Sequence, residues 1–350
     1  QITRETLVGL TMKWKDGNLG DKADESRIDV DNPLWSQDTY LGRWMHYNFI
    51  SDCRTILVPE NKLWEAKKLC EDYKAGKEPE GIQREDIIYA KKLRDGAFHP
   101  DNGEFMHVIG RMSFQLPASV ALTAAMLTFY KSAFSVITCQ LVNQSFNAFV
   151  NYTNRNVMSD DPQDTDVIHQ AFMLATAASC AAALGFRKLF FGRGVLFTRF
   201  VPFCAVAVGN MVNLPIMRHQ EIARGVPIFA KNSDEVFIMK SQVAAVKGIS
   251  ECVLTRIIMA APGMLMIPVI TQRIQSYCFY QFHPWITFPV EIGLCTLCLL
   301  VMIPSALAIF PQKNSMNPEL LKIYPEEYEI FREKMGQRKH PNKVYYNKGL

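Results

Sequence analysis

Six stretches of this chain carry no formally charged residue: Met112–Tyr130, Ser132–Asn154, Val167–Phe186, Phe200–Met217, Ile257–Gln272 and Ile292–Gln312. An α-helix rises ~1.5 Å per residue, so about 20 residues cross the hydrocarbon core of a bilayer. The first, third and sixth stretches reach that length, and the fourth is slightly short. The fifth is long enough only with Cys252–Thr255 added, which draws Arg256 into the helix. The second is long enough but too polar toward its carboxyl end to face lipid there. The pattern predicts five transmembrane spans plus one polar segment of undecided role. A soluble helical core is the competing reading, but so many long apolar runs close together argue against it.

Residues 1–107 read instead as a soluble, mostly helical region. Asn61 is placed to cap a helix through Tyr73, with Leu63, Ala66, Leu69 and Cys70 on one side and lysines on the other. Glu85–Arg94 gives a second short amphipathic helix with Ile87, Ile88, Ala90 and Leu93 apolar. The segment before Asn61, rich in aromatics and turn formers, assigns to no element. Residues 313–350 form a charged tail, helical around Glu326–Met335. The expected fold is therefore all-α: a multi-pass membrane helical bundle over 108–312 between a soluble amino-terminal region and that tail.

Charge sharpens this division. Residues 1–107 hold 16 Lys and Arg against 20 Asp and Glu, whereas 108–350 hold 22 against 14. The basic residues of the second part flank apolar runs, as at a membrane border, and form no aromatic-interleaved stripe for nucleic acid. The loop Arg187–Arg199 has four basic residues and no acid, while Arg155–Asp166 has four acids and one base. The positive-inside rule puts the basic loop on the inner side and the tail after Pro311 on the opposite face. The amino end, with acids from Glu5 onward, matches neither a secretory signal nor an Arg-rich presequence, so targeting information is expected to be internal.

The second stretch holds the most informative pattern, QLVNQSFNAFVNYTNR from Gln140 to Arg155. Asn143, Asn147 and Asn151 recur at i, i+4 and i+8, one polar stripe on a helix, with Gln144 beside it. A neutral amide stripe suits a small polar solute, and it equally suits hydrogen-bonding glue between helices. Phe200–Met217 adds Asn210 and Asn213 together with Pro202 and Pro215, and the fifth stretch contains Pro262-Gly263. Proline removes a backbone donor and frees a carbonyl one turn earlier. These positions are expected to break their helices, as at transporter sites, with packing bends as the alternative. Arg256, inside its span, is a candidate partner for a substrate carboxylate.

Other chemistry is not indicated. The chain has no GxSxG, Walker A or HExxH motif and no pair of carboxylates in the apolar runs, so it does not read as an enzyme. Nine scattered cysteines make no disulfide framework. Cys295-x-x-Cys298 lies in an apolar run without a second ligand pair and reads as packing. No cofactor and no metal site is expected.

Several separated motifs occur in order: Trp35-Ser36-Gln37-Asp38-Thr39 with Gly42-Arg43, Ala97-Phe98-His99-Pro100-Asp101 with Gly103-Glu104, and Gly110-Arg111-Met112. Asn143 to Asn147, Asn151 to Arg155, Arg199 to Phe203, Asn213-x-Pro215-x-Met217-Arg218, Met259 to Gly263 and Phe310-Pro311-Gln312 complete the series. From about Asn32 to Met316 the chain resembles the sideroflexins, multi-pass proteins of the mitochondrial inner membrane. The resemblance implies five spans. It also implies transport of serine, and of other small neutral amino acids such as alanine or cysteine, into one-carbon metabolism. Older proposals for the family include tricarboxylate or iron-linked transport, and one branch is tied to respiratory complex I assembly. An accessory or assembly subunit of a respiratory-chain complex is therefore the alternative function. Asn102 and Gly209 depart from the usual threonine and alanine, and the tail beyond Met316 looks unlike the family. The resemblance supplies no substrate ligands. The candidate contacts, from intramembrane polarity alone, are Asn143, Gln144, Asn147, Asn151, Asn210, Asn213 and Arg256, with membrane lipid and a small neutral amino acid as expected partners.

Overall fold

The computed structural model describes residues 27–99, 103–129, 132–153, 163–192, 194–230, 237–335 and 342–348. The amino-terminal region contributes α1 (Tyr40–Ile50), α2 (Glu60–Lys74) and α3 (Arg84–Ala97). Leu63, Ala66 and Cys70 of α2 pack against Ala90, Leu93 and Ala97 of α3, so the apolar faces of both helices are spent on each other. Burial there pushes the Cys70 thiol up to about 11. Asn61 does not cap α2: Pro59 holds the cap position and Asn61 already lies in the first turn. Asp52 takes Arg54 at 2.7 Å and is also paired with Lys92 of α3.

The bundle follows as α4 (Met112–Thr128), α5 (Ala133–Thr153), α6 (Gln163–Phe190), α7 (Val195–Arg199) and α8 (Val201–Met217). After α9 (His219–Arg224), a hairpin of β1 (Val226–Phe229) and β2 (Phe237–Ser241) leads into α10 (Gln242–Gln275). Then come α11 (Cys278–Phe282) and α12 (Thr287–Leu307). Among the described residues, four helical stretches, His169–Phe190, Phe197–Met217, Gln242–Gln275 and Thr287–Leu307, are long and apolar enough to cross a membrane, and α4 is a shorter apolar helix.

The polar segment, α5, runs the full length of the bundle beside them. Near its start, Val136 packs with Ala183 late in α6 and with Val201 and Ala205 early in α8. At its end, Thr153 lies under Gly110, where a Cβ would stand 2.2 Å from the threonine hydroxyl. Leu116 at the start of α4 meets Leu299 and Ile303 late in α12, while Thr128 at its end reaches Glu291 early in α12. The six long helices therefore alternate in direction, and the chain enters and leaves the bundle at one end. The linker Arg187–Arg199 lies at the other, hereafter the basic-loop end.

The expected breaks at Pro215, Pro262 and Gly263 are not present, since each lies inside a continuous helix, whereas Pro202 directly follows the interruption at Phe200 between α7 and α8. Pro202 occupies the first turn of α8, where no N–H is needed, and Pro215, in the last turn, removes one hydrogen bond to the Met211 carbonyl without ending the helix. Pro262 removes one hydrogen bond from a helix packed on several sides, and the helix runs on through it. A Cβ at Gly263 would make only ordinary contact with Cys298 and Ile267.

Beyond the bundle, β3 (Lys313–Met316), α13 (Pro325–Met335) and β4 (Val344–Asn347) complete the described chain. The strands form an antiparallel sheet in the order β2-β1-β4-β3, with Ile228 opposite Tyr346 and Ser315 opposite Tyr345. Phe331 and Tyr328 of α13 close its core with Val226, Ile228, Ile238 and Val344. The tail is thus helical where expected but joined by strands to the linker between α8 and α10, an addition to the all-α reading. This sheet end is further clamped to α12. Arg43 donates to the Ala308 carbonyl at 2.8 Å and Lys348 to that of Phe310 at 3.2 Å, cations where a helix terminus carries partial negative charge.

Candidate functional site

Midway along the bundle, three helices bring polar side chains together in apolar surroundings. Gln140, Asn143 and Gln144 project from α5 at i, i+3 and i+4, all buried. Gln144 donates through Nε2 to the Ser179 hydroxyl of α6 at 3.0 Å. Both groups press on Gly209 of α8, where a Cβ would stand 2.2 Å from Ser179 Oγ and 2.4 Å from Gln144 Nε2. Gly209 therefore makes room for the pair. Gln140, one turn toward the basic-loop end, has only the Met126 thioether of α4 at 3.6 Å for its Nε2. Among the described residues, Gln140 Oε1, Asn143 Nδ2, Gln144 Oε1 and the Thr176 hydroxyl are buried without a hydrogen-bond partner.

The layer continues around α8. Asn210 and Asn213 are both buried. Val206 packs with Met264 and Ala260 of α10, and Leu214 packs with Ile249 and Cys252. Asn210 lies midway between Val206 and Leu214, as Arg256 does between Ala260 and Cys252 on the antiparallel α10, so the two stand at one level. Arg256 is half-buried. Its neighbour Arg218 takes the Cys252 sulfur at 3.6 Å and Glu221 at 2.5 Å.

Of the expected contacts, the structure brings Gln144, with Asn143 beside it, to Ser179 and Gly209, and it sets Asn210 and Asn213 buried on α8 and Arg256 half-buried on α10. Asn147 is half-buried one turn nearer the sheet end. The Asn151 side chain lies outside the described residues. Sequence reasoning missed Gln140, although its i, i+4 relation to Gln144 marked it, and it missed Ser179 and Thr176. An open groove of about 680 Å³ lined by Val269, Gln272, Arg273 and Tyr277 lies at the basic-loop end of α10 and includes none of these amides.

Two charged clusters bracket the layer. At the sheet end, Glu251 Oε1 takes Lys247 at 2.6 Å, while its Oε2 accepts from Asn314 at 2.8 Å and from the Tyr346 hydroxyl at 3.1 Å. Lys247 also donates to Tyr346 at 2.8 Å. Burial and the adjacent Glu251 carboxylate push the Tyr346 hydroxyl well above its ordinary pKa, so it stays a donor. At the basic-loop end, Glu291 is buried early in α12, with Thr128 at 3.4 Å.

Apolar antiparallel helices around a half-satisfied polar layer define a polytopic membrane protein with a polar interior. The chain belongs to the sideroflexin family: the family model described as Sideroflexins matches residues 29–350. That match includes the tail, which the motifs alone had set apart at Met316. Sideroflexin-2 of Drosophila melanogaster is 42% identical over 325 residues, 92% of this chain and 98% of that protein. Sideroflexin-2 of Homo sapiens is 43% identical over 329 residues, 94% and 100%. Sideroflexin-1 of Homo sapiens is 39% identical over 325 residues, 92% and 98%. No solved structure matches the chain.

Proposed function

We propose that this protein carries serine and other small neutral amino acids across the mitochondrial inner membrane, supplying one-carbon metabolism, as a transporter and not an enzyme. The observation that carries the reading is the set of orphaned amide atoms on α5. A buried polar group without a partner costs ~1–3 kcal/mol, so three on one face of one helix are a standing cost to the fold. A zwitterion entering the layer offsets that cost. Its ammonium needs acceptors, which Gln140 and Gln144 offer through Oε1, and its carboxylate needs donors, which Asn143 Nδ2 and Arg256 supply. Because the site lies halfway along α5, α6 and α8, access alternates by rocking of packed helices and needs no half-helix ends.

The test is uptake of labelled serine by purified protein in liposomes. Asn143→Leu removes a donor without opening a cavity. It is expected to abolish uptake while leaving thermal stability within about 1 kcal/mol of wild type. Wild-type flux retained in the variant would remove the α5 face from the mechanism. Absence of flux in the wild type, together with co-migration with a respiratory complex on native gels, would favour the accessory-subunit role. The platform of amino-terminal helices and sheet at one end provides the docking surface for that role.

A further inference from the structure

Glu291 lies in the second turn of α12, 6% exposed, with Cys295 fully buried one turn further on. Its described hydrogen-bonding neighbour is the Thr128 hydroxyl of α4 at 3.4 Å, a long contact for a charged acceptor. Thr271 of α10, also buried, stands beside it, and the Arg199 guanidinium of α7 is within electrostatic reach. Arg199 is directed elsewhere: it donates to the Pro268 carbonyl at 3.3 Å and to Gln275 Oε1 at 3.2 Å, both on α10. Among the described residues Glu291 forms no ion pair. The other titratable groups near this end of α12 are Cys295 on α12 itself, and His283 and Arg273 in the preceding segment; His283 and Arg273 are exposed.

A carboxylate buried in an apolar span, with only hydroxyls beside it and the nearby Arg199 hydrogen-bonded to other groups, is costly as an ion, and intramembrane acids of this kind are held protonated until their surroundings change. The change available here is a swing of Arg199 from the α10 carbonyl and amide onto Glu291 as the basic-loop end opens. We infer that Glu291 is a proton-binding site: it carries H⁺ while the basic-loop end is closed and releases it when that end opens and Arg199 and water reach it. This rests on the transport reading for its consequence, that solute movement is linked to a proton, but proton binding itself does not depend on flux. The released proton passes to water at the open end, and no other reactant is required. A sodium ion fits less well, because Arg199 already brings a positive charge to the same pocket.

Two measurements test it on the full-length protein in liposomes. Infrared difference spectra across a pH titration should show the carbonyl stretch of a buried protonated carboxyl in wild type. That band should be lost in Glu291→Gln and displaced in Thr128→Val, which removes the neighbouring hydroxyl. An imposed proton gradient should raise wild-type serine uptake severalfold, and the response should vanish in Glu291→Gln. Thr128→Val keeps the question decidable if Glu291→Gln fails to fold. The proposal is overturned if the band is absent from wild type or survives in Glu291→Gln. It is equally overturned if uptake answers a sodium gradient instead, or answers a proton gradient undiminished in the variant. If wild type shows the band but moves no serine, the proton site stands and the transport reading falls.

Discussion

The polar clusters at the sheet end and the polar layer in the middle of the bundle are built on opposite terms. Around Glu251 each carboxylate oxygen has partners: Lys247 on one, and Asn314 and Tyr346 on the other. Around Asp52, Arg54 and Lys92 play the same part. In the middle of the bundle, where an unmet hydrogen bond costs most, Gln140, Asn143 and Gln144 each leave an atom unmet. A fold able to saturate Glu251 is not short of ways to saturate an amide. The difference teaches that partnered polar groups tie elements together, whereas the unpartnered ones are held ready for something that comes and goes.

Four substitutions set the two kinds of cluster against each other. The largest stability effect is expected from Glu251→Leu, which strands Lys247 and unties β4 from α10. Breaking a buried ion pair costs about 3–5 kcal/mol, so chemical denaturation should show a loss of that order. A loss under about 1 kcal/mol would erase the distinction between the clusters.

Next is Asp52→Asn, expected to cost on the order of 2 kcal/mol through weakened charged hydrogen bonds. Burial alone would raise the Asp52 carboxyl, but its bonds to Arg54 and Lys92 outweigh that and hold it at about 2. A depressed carboxyl stabilises the fold fully above its unfolded value near pH 4 and less as pH falls toward 2. Thermal melting of wild type should therefore drop across that window, and the drop should shrink in the variant.

The smallest stability change is expected inside the bundle. Gln144→Leu should leave melting nearly unchanged yet remove uptake, a split opposite to that of Glu251→Leu. Gly209→Ala sharpens it. The added Cβ displaces the Gln144–Ser179 pair, whose ends are mobile side-chain atoms, so the protein should fold normally with an altered KM for serine. Unchanged kinetics in both variants would return the amides to a packing role.

The parts of this fold legible in the chain are those set by local period. The amphipathic patterns expected from Asn61 and from Glu85 emerge as α2 and α3 with ends moved by one to three residues. The uncharged runs emerge as the long helices, because about 20 apolar residues leave few other options. The sheet was not legible. Its strands are four or five residues long, and Lys313-Asn314-Ser315-Met316 has no β character of its own; it is a strand because Val344–Asn347 lies beside it. Pro215 and Pro262 misled because a helix held by its neighbours runs on through the loss of one hydrogen bond, whereas Pro202 does follow the interruption at Phe200. For the candidate site, the i, i+4, i+8 spacing directed attention along Asn143, Asn147 and Asn151. The buried face turns the other way, through Gln140 and Gln144, because α6 and α8 approach from that side. Glu291 borders the uncharged run Ile292–Gln312 in the sequence, and only tertiary packing shows it enclosed.

The sheet order β2-β1-β4-β3 has a consequence for biogenesis. β4 is an interior strand, bonded to β1 on one side and β3 on the other, yet it follows them in synthesis by more than a hundred and by about thirty residues respectively. Until Val344–Asn347 arrives, the hairpin Val226–Ser241 and the strand after α12 present bare edges. The cap over this end of the molecule therefore closes as a final latch, after α10 and α12 have been threaded into the bilayer, and a chain stalled before that point would leave those edges open to quality control.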